Sequence, residues 1–163
     1  MQPTVRKTLE AAPPSMPPNL SAMYIQRCKN QKIRPNFTAQ KILQKAPKIT
    51  KIDFSQDIIG ARGLIVLCDI LSEFKRILNQ ITEIDLSGNA LDNSAIIKLS
   101  QLLENQQQMT YVNLSENNFG RESIQSIKQL LLNNKKIQIL IHDCRCLKDE
   151  QKQYLSKFGR VVY

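Results

Sequence analysis

Apolar side chains return along this chain at a fixed interval. The line Ile81-Thr82-Glu83-Ile84-Asp85-Leu86-Ser87-Gly88-Asn89-Ala90-Leu91 is repeated 28 residues later by Met109-Thr110-Tyr111-Val112-Asn113-Leu114-Ser115-Glu116-Asn117-Asn118-Phe119. Apolar residues and one asparagine coincide in both lines. The alternation at Ile84 and Leu86, and at Val112 and Leu114, predicts a short strand in each. Apolar residues at helical spacing follow: Ile96, Leu99, Leu102 and Leu103, then Ile124, Ile127, Leu130 and Leu131. They predict helices over 93–104 and 121–133. An earlier unit starts at Ile49, Ile52 and Phe54, and its Ile59, Leu64, Leu67 and Leu71 precede Leu91, Ile96, Leu99 and Leu103 by 32. The extra residues fall after Leu71, which predicts a first helix about one turn longer. Ile137 and Leu140 open a fourth line, with a strand over 137–141. A final helix is predicted over 149–157 with Tyr154 and Leu155 inward, and Val161-Val162 either closes the sheet or covers its end.

A period of this length means stacked strand–helix units sharing one core. The L-x-x-L-x-L-x-x-N-x-L pattern resembles leucine-rich repeats, and the 28-residue unit with a helix resembles the ribonuclease-inhibitor class. The resemblance implies an α/β solenoid, a right-handed βα arc with a parallel sheet on the concave face and helices on the convex face. Upstream, a helix over 20–31 with Ser21 as its cap, and a second that Thr38 caps and Pro47 ends, predict an N-terminal cap for the solenoid. Tyr24, Cys28, Arg34-Pro35-Asn36 and Ile42-Leu43 before the first strand resemble the start of some ciliary and centrosomal leucine-rich repeat proteins. The expected organisation is a Pro-rich basic arm (1–18), a helical cap (19–48), three repeats and a fourth strand (49–147), and a C-terminal cap helix and tail (148–163).

Charge divides the chain. The net charge is +9. All of it lies in residues 1–51, where Arg6, Lys7, Arg27, Lys29, Lys32 and Arg34 belong to a basic arm; residues 52–163 balance to zero. A basic arm suits an acidic partner, whether RNA, an anionic membrane surface or an acidic protein lattice such as tubulin. No apolar run is long enough for a transmembrane helix. The cysteines show no disulfide framework, and Cys28 and Cys68 fall in apolar helical patterns as buried thiols, which fits reduced, cytosolic surroundings.

Side-chain alternation assigns the concave face. It presents Lys51 and Asp53, then Glu83 and Asp85, then Tyr111 and Asn113. In the fourth strand two registers stand open. One places Ile139 and Ile141 beside Tyr111 as an exposed apolar cluster; the other turns Ile137, Ile139 and Ile141 inward and Gln138, Leu140 and His142 outward. Asn89 and Asn117 stand where the chain leaves the strand, and a buried amide there both donates to and accepts from loop backbone. Asp57 holds the same position in the first repeat, where an ionised carboxylate only accepts, so that repeat is expected to be less well tied.

Chemistry is sparse. His142-x-Cys144-x-Cys146 lacks the spacing of a zinc site and reads as end-cap packing. Asp53, Glu83 and Asp85 lie on an open face that does not desolvate them, so no acid–base pair is expected. There is no phosphate-cradling glycine loop and no base-reading module. No cofactor, metal or catalytic residue is assigned. The expected function is a non-catalytic scaffold subunit of a large assembly. The cap's resemblance favours a cytoskeletal one, a ciliary axoneme or another microtubule complex with tubulin or axonemal partners. The alternative is a mitochondrial assembly subunit contacting RNA or lipid through the arm, since Arg6, Lys7, Thr4, Thr8 and Ser15 resemble a presequence although Glu10 and the prolines work against its helix. Ran GTPase activators share the repeat class but form much longer arcs, and nothing here matches a catalytic loop.

Overall fold

The computed structural model describes residues 19–163. Arg6, Lys7 and the rest of the arm therefore lie outside the described residues. The chain runs α1 (Leu20–Asn30), α2 (Phe37–Gln44), β1 (Lys51–Asp53), α3 (Gly60–Glu73), α4 (Lys75–Leu78), β2 (Glu83–Asp85), α5 (Asn93–Leu103), β3 (Tyr111–Asn113), α6 (Arg121–Asn133), β4 (Gln138–Leu140), α7 (Asp149–Ser156) and β5 (Val161–Val162). The strands form one parallel sheet in sequence order. Each crossover passes through a helix, as parallel neighbours require. Ile52, Ile84, Val112 and Ile139 are paired across the sheet and buried against the helical layer. One continuous core runs from Leu20 and Tyr24 in α1 to Leu155 and Val161.

Several local expectations give way to other residues. The side chain of Asn19, not Ser21, accepts the Ala22 N–H at the start of α1, and Ser21 is buried. Asn36, not Thr38, caps α2 by accepting from Ala39 N–H. Asn36 directly follows Pro35, whose fixed φ helps hold the chain extended before the helix. The extra residues of the first repeat do not lengthen its helix by a continuous turn. α3 stops, and Phe74 takes φ −108° and ψ 60°, so that its carbonyl accepts from Ile77 and Leu78 and starts α4. The break lets Ile77 and Leu78 turn back into the core. On α7, Leu155 is buried while Tyr154 is 38% exposed. Adjacent helical positions point about 100° apart, and on this short helix only Leu155 faces the core. Tyr154 packs edge-on against Phe158 instead.

The larger correction concerns β4. Tyr111 pairs with Gln138, Val112 with Ile139 and Asn113 with Leu140. The step from β3 to β4 is therefore 27 residues, whereas Ile81, Met109 and Ile137 keep the 28-residue step and are all buried. One residue is missing between the first and second apolar positions of the fourth line. Ile139 and Ile141 are fully buried and do not belong to the open face. Gln138, Leu140 and His142 take the outward positions, because a shift of one residue reverses the face of every side chain that follows.

Candidate functional site

The sheet face away from the helices is the candidate binding surface. Two rows of side chains cross it. One runs Lys51, Glu83, Tyr111, Gln138; the next runs Asp53, Asp85, Asn113, Leu140, Val162. Lys51 Nζ lies 2.7 Å from Glu83 Oε2, and both side chains are well exposed. Such a pair contributes about 0–1 kcal/mol and is readily given up to a partner.

The second row is less free than alternation implies. Asp53 Oδ1 accepts from the Ser55 N–H at 2.9 Å and the Ser55 hydroxyl at 2.8 Å. Asp85 Oδ1 does the same with Ser87, at 2.9 and 2.7 Å. Asn113 Oδ1 accepts from the Ser115 N–H at 3.1 Å and donates through Nδ2 to Asp85 Oδ2 at 3.0 Å. These residues close the turn out of each strand as well as facing solvent. The Ser55 N–H, followed by its hydroxyl, holds the Asp53 carboxyl below the usual carboxylate range. The signal was in the sequence as Asp-x-Ser, Asp-x-Ser and Asn-x-Ser at strand ends, where such side chains cap local backbone.

From β1 to β5 the surface changes character. Asp53, Glu83 and Asp85 make one half acidic. Tyr111, half-buried Leu140 and Val162, which is 49% exposed, make the other half apolar. Partial burial pushes the Tyr111 phenol up, reinforced by the charges of Asp85 and Glu83. An apolar group thus does stand on this face, built from Leu140 and Val162 rather than from Ile139 and Ile141.

The buried asparagines hold the arc behind this surface. Asn89 Nδ2 donates to Phe54 O at 2.7 Å and Ser87 O at 2.9 Å, and its Oδ1 accepts from Ile59 N–H at 2.8 Å. Asn117 Nδ2 donates to Leu86, Leu114 and Ser115 carbonyls, and its Oδ1 accepts from Asn89 and Leu91 N–H. Each side chain reaches a carbonyl of the preceding repeat. Cys144 continues the series, since its thiol donates to Leu114 O at 3.3 Å. The 28-residue count hid this role, because the missing residue in β4 moves the position by one. Cys144 is buried, which pushes its thiol up, while His142 and Cys146 are exposed. These residues do not converge on a metal, and no cluster of metal-type ligands occurs among the described residues. At the other end of the series the Asp57 Oδ2 is buried with no partner among the described residues.

Of the basic positions, Arg27 is committed to Glu73 on α3 at 2.7 Å. Lys29, Lys32 and Arg34 are exposed around the end of α1 and the loop to α2. Cys28 and Cys68 are buried and unpaired. No helix among the described residues is long and apolar enough to cross a membrane.

No family model matches the chain. No curated protein matches it either. A solved structure described as the leiomodin-1 actin-binding site 2 is similar in fold, with a TM-score of 0.60 at 17% identity over 74% of this chain and 69% of that one. At that identity the likeness shows a shared leucine-rich-repeat-like architecture and no more.

Proposed function

We propose that the chain is a non-catalytic protein-docking module of a cytoskeletal assembly and that the open sheet face is its docking surface. The observation that carries this reading is the side-by-side placement of an acidic half (Asp53, Glu83, Asp85) and an apolar half (Tyr111, Leu140, Val162) on one open sheet. That chemistry fits a partner segment with basic residues at one end and apolar residues at the other. Charges steer and register the encounter, and burial of the apolar half supplies the affinity. The cytoskeletal setting is supported by the cap's resemblance to ciliary and centrosomal proteins. It is also supported by the similar solved structure, which is described as an actin-binding site. Within that setting the ciliary axoneme is the finer expectation.

The test is affinity isolation of the tagged full chain, compared with the double variant Tyr111→Ala/Leu140→Asp, together with imaging of the tagged protein. Cytoskeletal proteins should come down with the natural chain and be lost with the variant, while urea unfolding shows the variant still folded. An unchanged set of captured proteins would remove the open face from the reading. Mitochondrial location would overturn the cytoskeletal setting.

A further inference from the structure

The N-terminal cap, residues 19–48, carries seven Lys and Arg and no acid. Its loop is tied to the first repeat at two points. Arg62 donates to Gln31 O at 2.6 Å, and Asn36 Nδ2 donates to Asp57 O at 3.1 Å. The residue after each partner of the second bond is a large apolar side chain facing solvent: Phe37 is 65% exposed and Ile58 is 75% exposed. No other large apolar residue of the described chain is as exposed as these two. Lys41 Nζ sits 4.4 Å from the Phe37 ring centre. Lys32, Arg34 and Arg62 are exposed around the same junction. The neighbouring acid, Asp57, turns one carboxylate oxygen inward.

Ile58 also has φ +50°. A β-branched residue in the left-handed region is a conformational outlier, and the turn belongs to the repeat, since the equivalent Ala90 has φ +52°. The turn presents the Ile59 N–H to Asn89 Oδ1 at 2.8 Å, but the isoleucine side chain itself is exposed and packs against nothing.

We propose that this cap edge is a docking surface for an anionic lipid bilayer, with Phe37 and Ile58 entering the interface and Lys32, Arg34, Lys41 and Arg62 meeting headgroup phosphates. Interfacial binding needs apolar groups that protrude and cations that ring them. A folded protein partner would need a recess matching two separate protruding side chains; a fluid bilayer needs none. A nucleic acid would stack on Phe37, but Ile58 offers no stacking face. The proposal is independent of the open sheet face.

The test is co-sedimentation of the full chain with vesicles of phosphatidylcholine containing about a third phosphatidylserine, against pure phosphatidylcholine. Binding is expected to the first and not the second. Phe37→Ala and Ile58→Gly should each weaken it about tenfold, and Lys41→Gln about fivefold. Ile58→Gly keeps the thermal midpoint at or above that of the natural chain, so its loss of binding is not a loss of fold. The pair Lys135→Gln/Lys136→Gln, at the far end, should change binding less than Lys41→Gln alone. Equal binding to both vesicles overturns the proposal, as does binding insensitive to Phe37 and Ile58. Capture of polyglutamate through the same residues without vesicle binding would assign the edge to an acidic polypeptide instead.

Discussion

The asparagine series makes a quantitative demand on Asn117→Ala. In the natural chain the Asn117 carboxamide receives the N–H of Asn89 at 3.1 Å and of Leu91 at 2.9 Å, and all three residues are fully buried. Alanine leaves both donors without a partner. A buried unpaired donor costs roughly 1–3 kcal/mol, so two cost about 4 kcal/mol. Of the three carbonyls that Asn117 serves, Leu86 O loses its partner and two keep one. Ser115 O still accepts from Gly88 N–H, and Leu114 O from Cys144. Against a total stability of roughly 5–15 kcal/mol for a domain, about 4 kcal/mol is a large fraction. Urea unfolding should show the midpoint falling steeply with little change in slope. The internal control is Asp57→Ala at the equivalent position. Its side-chain oxygen is buried without a partner, so that change should cost no more than about 0.5 kcal/mol. Similar costs for the two substitutions would refute the reasoning, because they would mean the position matters for its volume and not for its hydrogen bonds.

Two further outcomes are expected. Tyr24 is fully buried, and its hydroxyl finds no partner among the described residues; the Cys28 thiol and the Asn36 backbone lie beside it outside hydrogen-bonding geometry. Tyr24→Phe should therefore be neutral within about 0.5 kcal/mol or slightly stabilising, and a loss above about 1 kcal/mol in urea unfolding would show that the hydroxyl is paired. Asp92 caps α5, accepting from Ala95 N–H at 3.0 Å and from the Ser94 hydroxyl at 2.6 Å, and the Ser94 bond is the main cause of its lowered carboxyl pKa. A depressed folded pKa contributes stability that is present above the unfolded value of about 4 and is lost as pH falls through the folded one. The cost of Asp92→Ala, about 1 kcal/mol near neutrality, should shrink on acidification, and a gap that stays constant or widens would contradict the assignment.

The spine of the molecule was legible because two periodicities agree. Alternation at Ile84/Leu86 and Val112/Leu114 marks strands, helical spacing at Ile96 to Leu103 and Ile124 to Leu131 marks the crossovers, and the repeat interval ties them together. What escaped was local. The fourth strand keeps Ile137 in step and then omits one residue, so counting by 28 sends Leu140 inward and Ile139 outward when the reverse holds. Burial decides the register there, since Ile139 and Ile141 fill the core where Gln138 and His142 could not without stranding polar groups. The helix caps lie two residues upstream of Ser21 and Thr38, at Asn19 and Asn36, since all four are ordinary cap types and propensity alone does not choose among them. Asp53 and Asp85 show in the sequence pattern only as charges on the open face. Their bonds to Ser55 and Ser87 follow from the turn geometry, which alternation alone does not reveal.

The direction of the asparagine series explains why the chain's two ends differ. Each member donates backward, from Cys144 to Leu114, Asn117 to Leu86 and Asn89 to Phe54, so the first repeat has no earlier carbonyl to reach. An acceptor such as Asp57 can stand there, and the cap supplies the missing tie from outside through Asn36 to Asp57 O. That tie sets Phe37 and Ile58 next to each other's loops and joins the basic edge to the arc. The arc beyond is neutral overall, with its acids gathered at β1 and β2 and its apolar group at β4 and β5. Two surfaces of unlike chemistry therefore ride on one body, and salt should separate them. Raising ionic strength shortens the Debye length to about 3 Å at 1 M, which should sharply weaken binding at the cap, where four cations contribute. Binding led by Tyr111, Leu140 and Val162 should persist, because burial of apolar surface does not depend on charge. A single salt response for both would mean that one surface does all the binding.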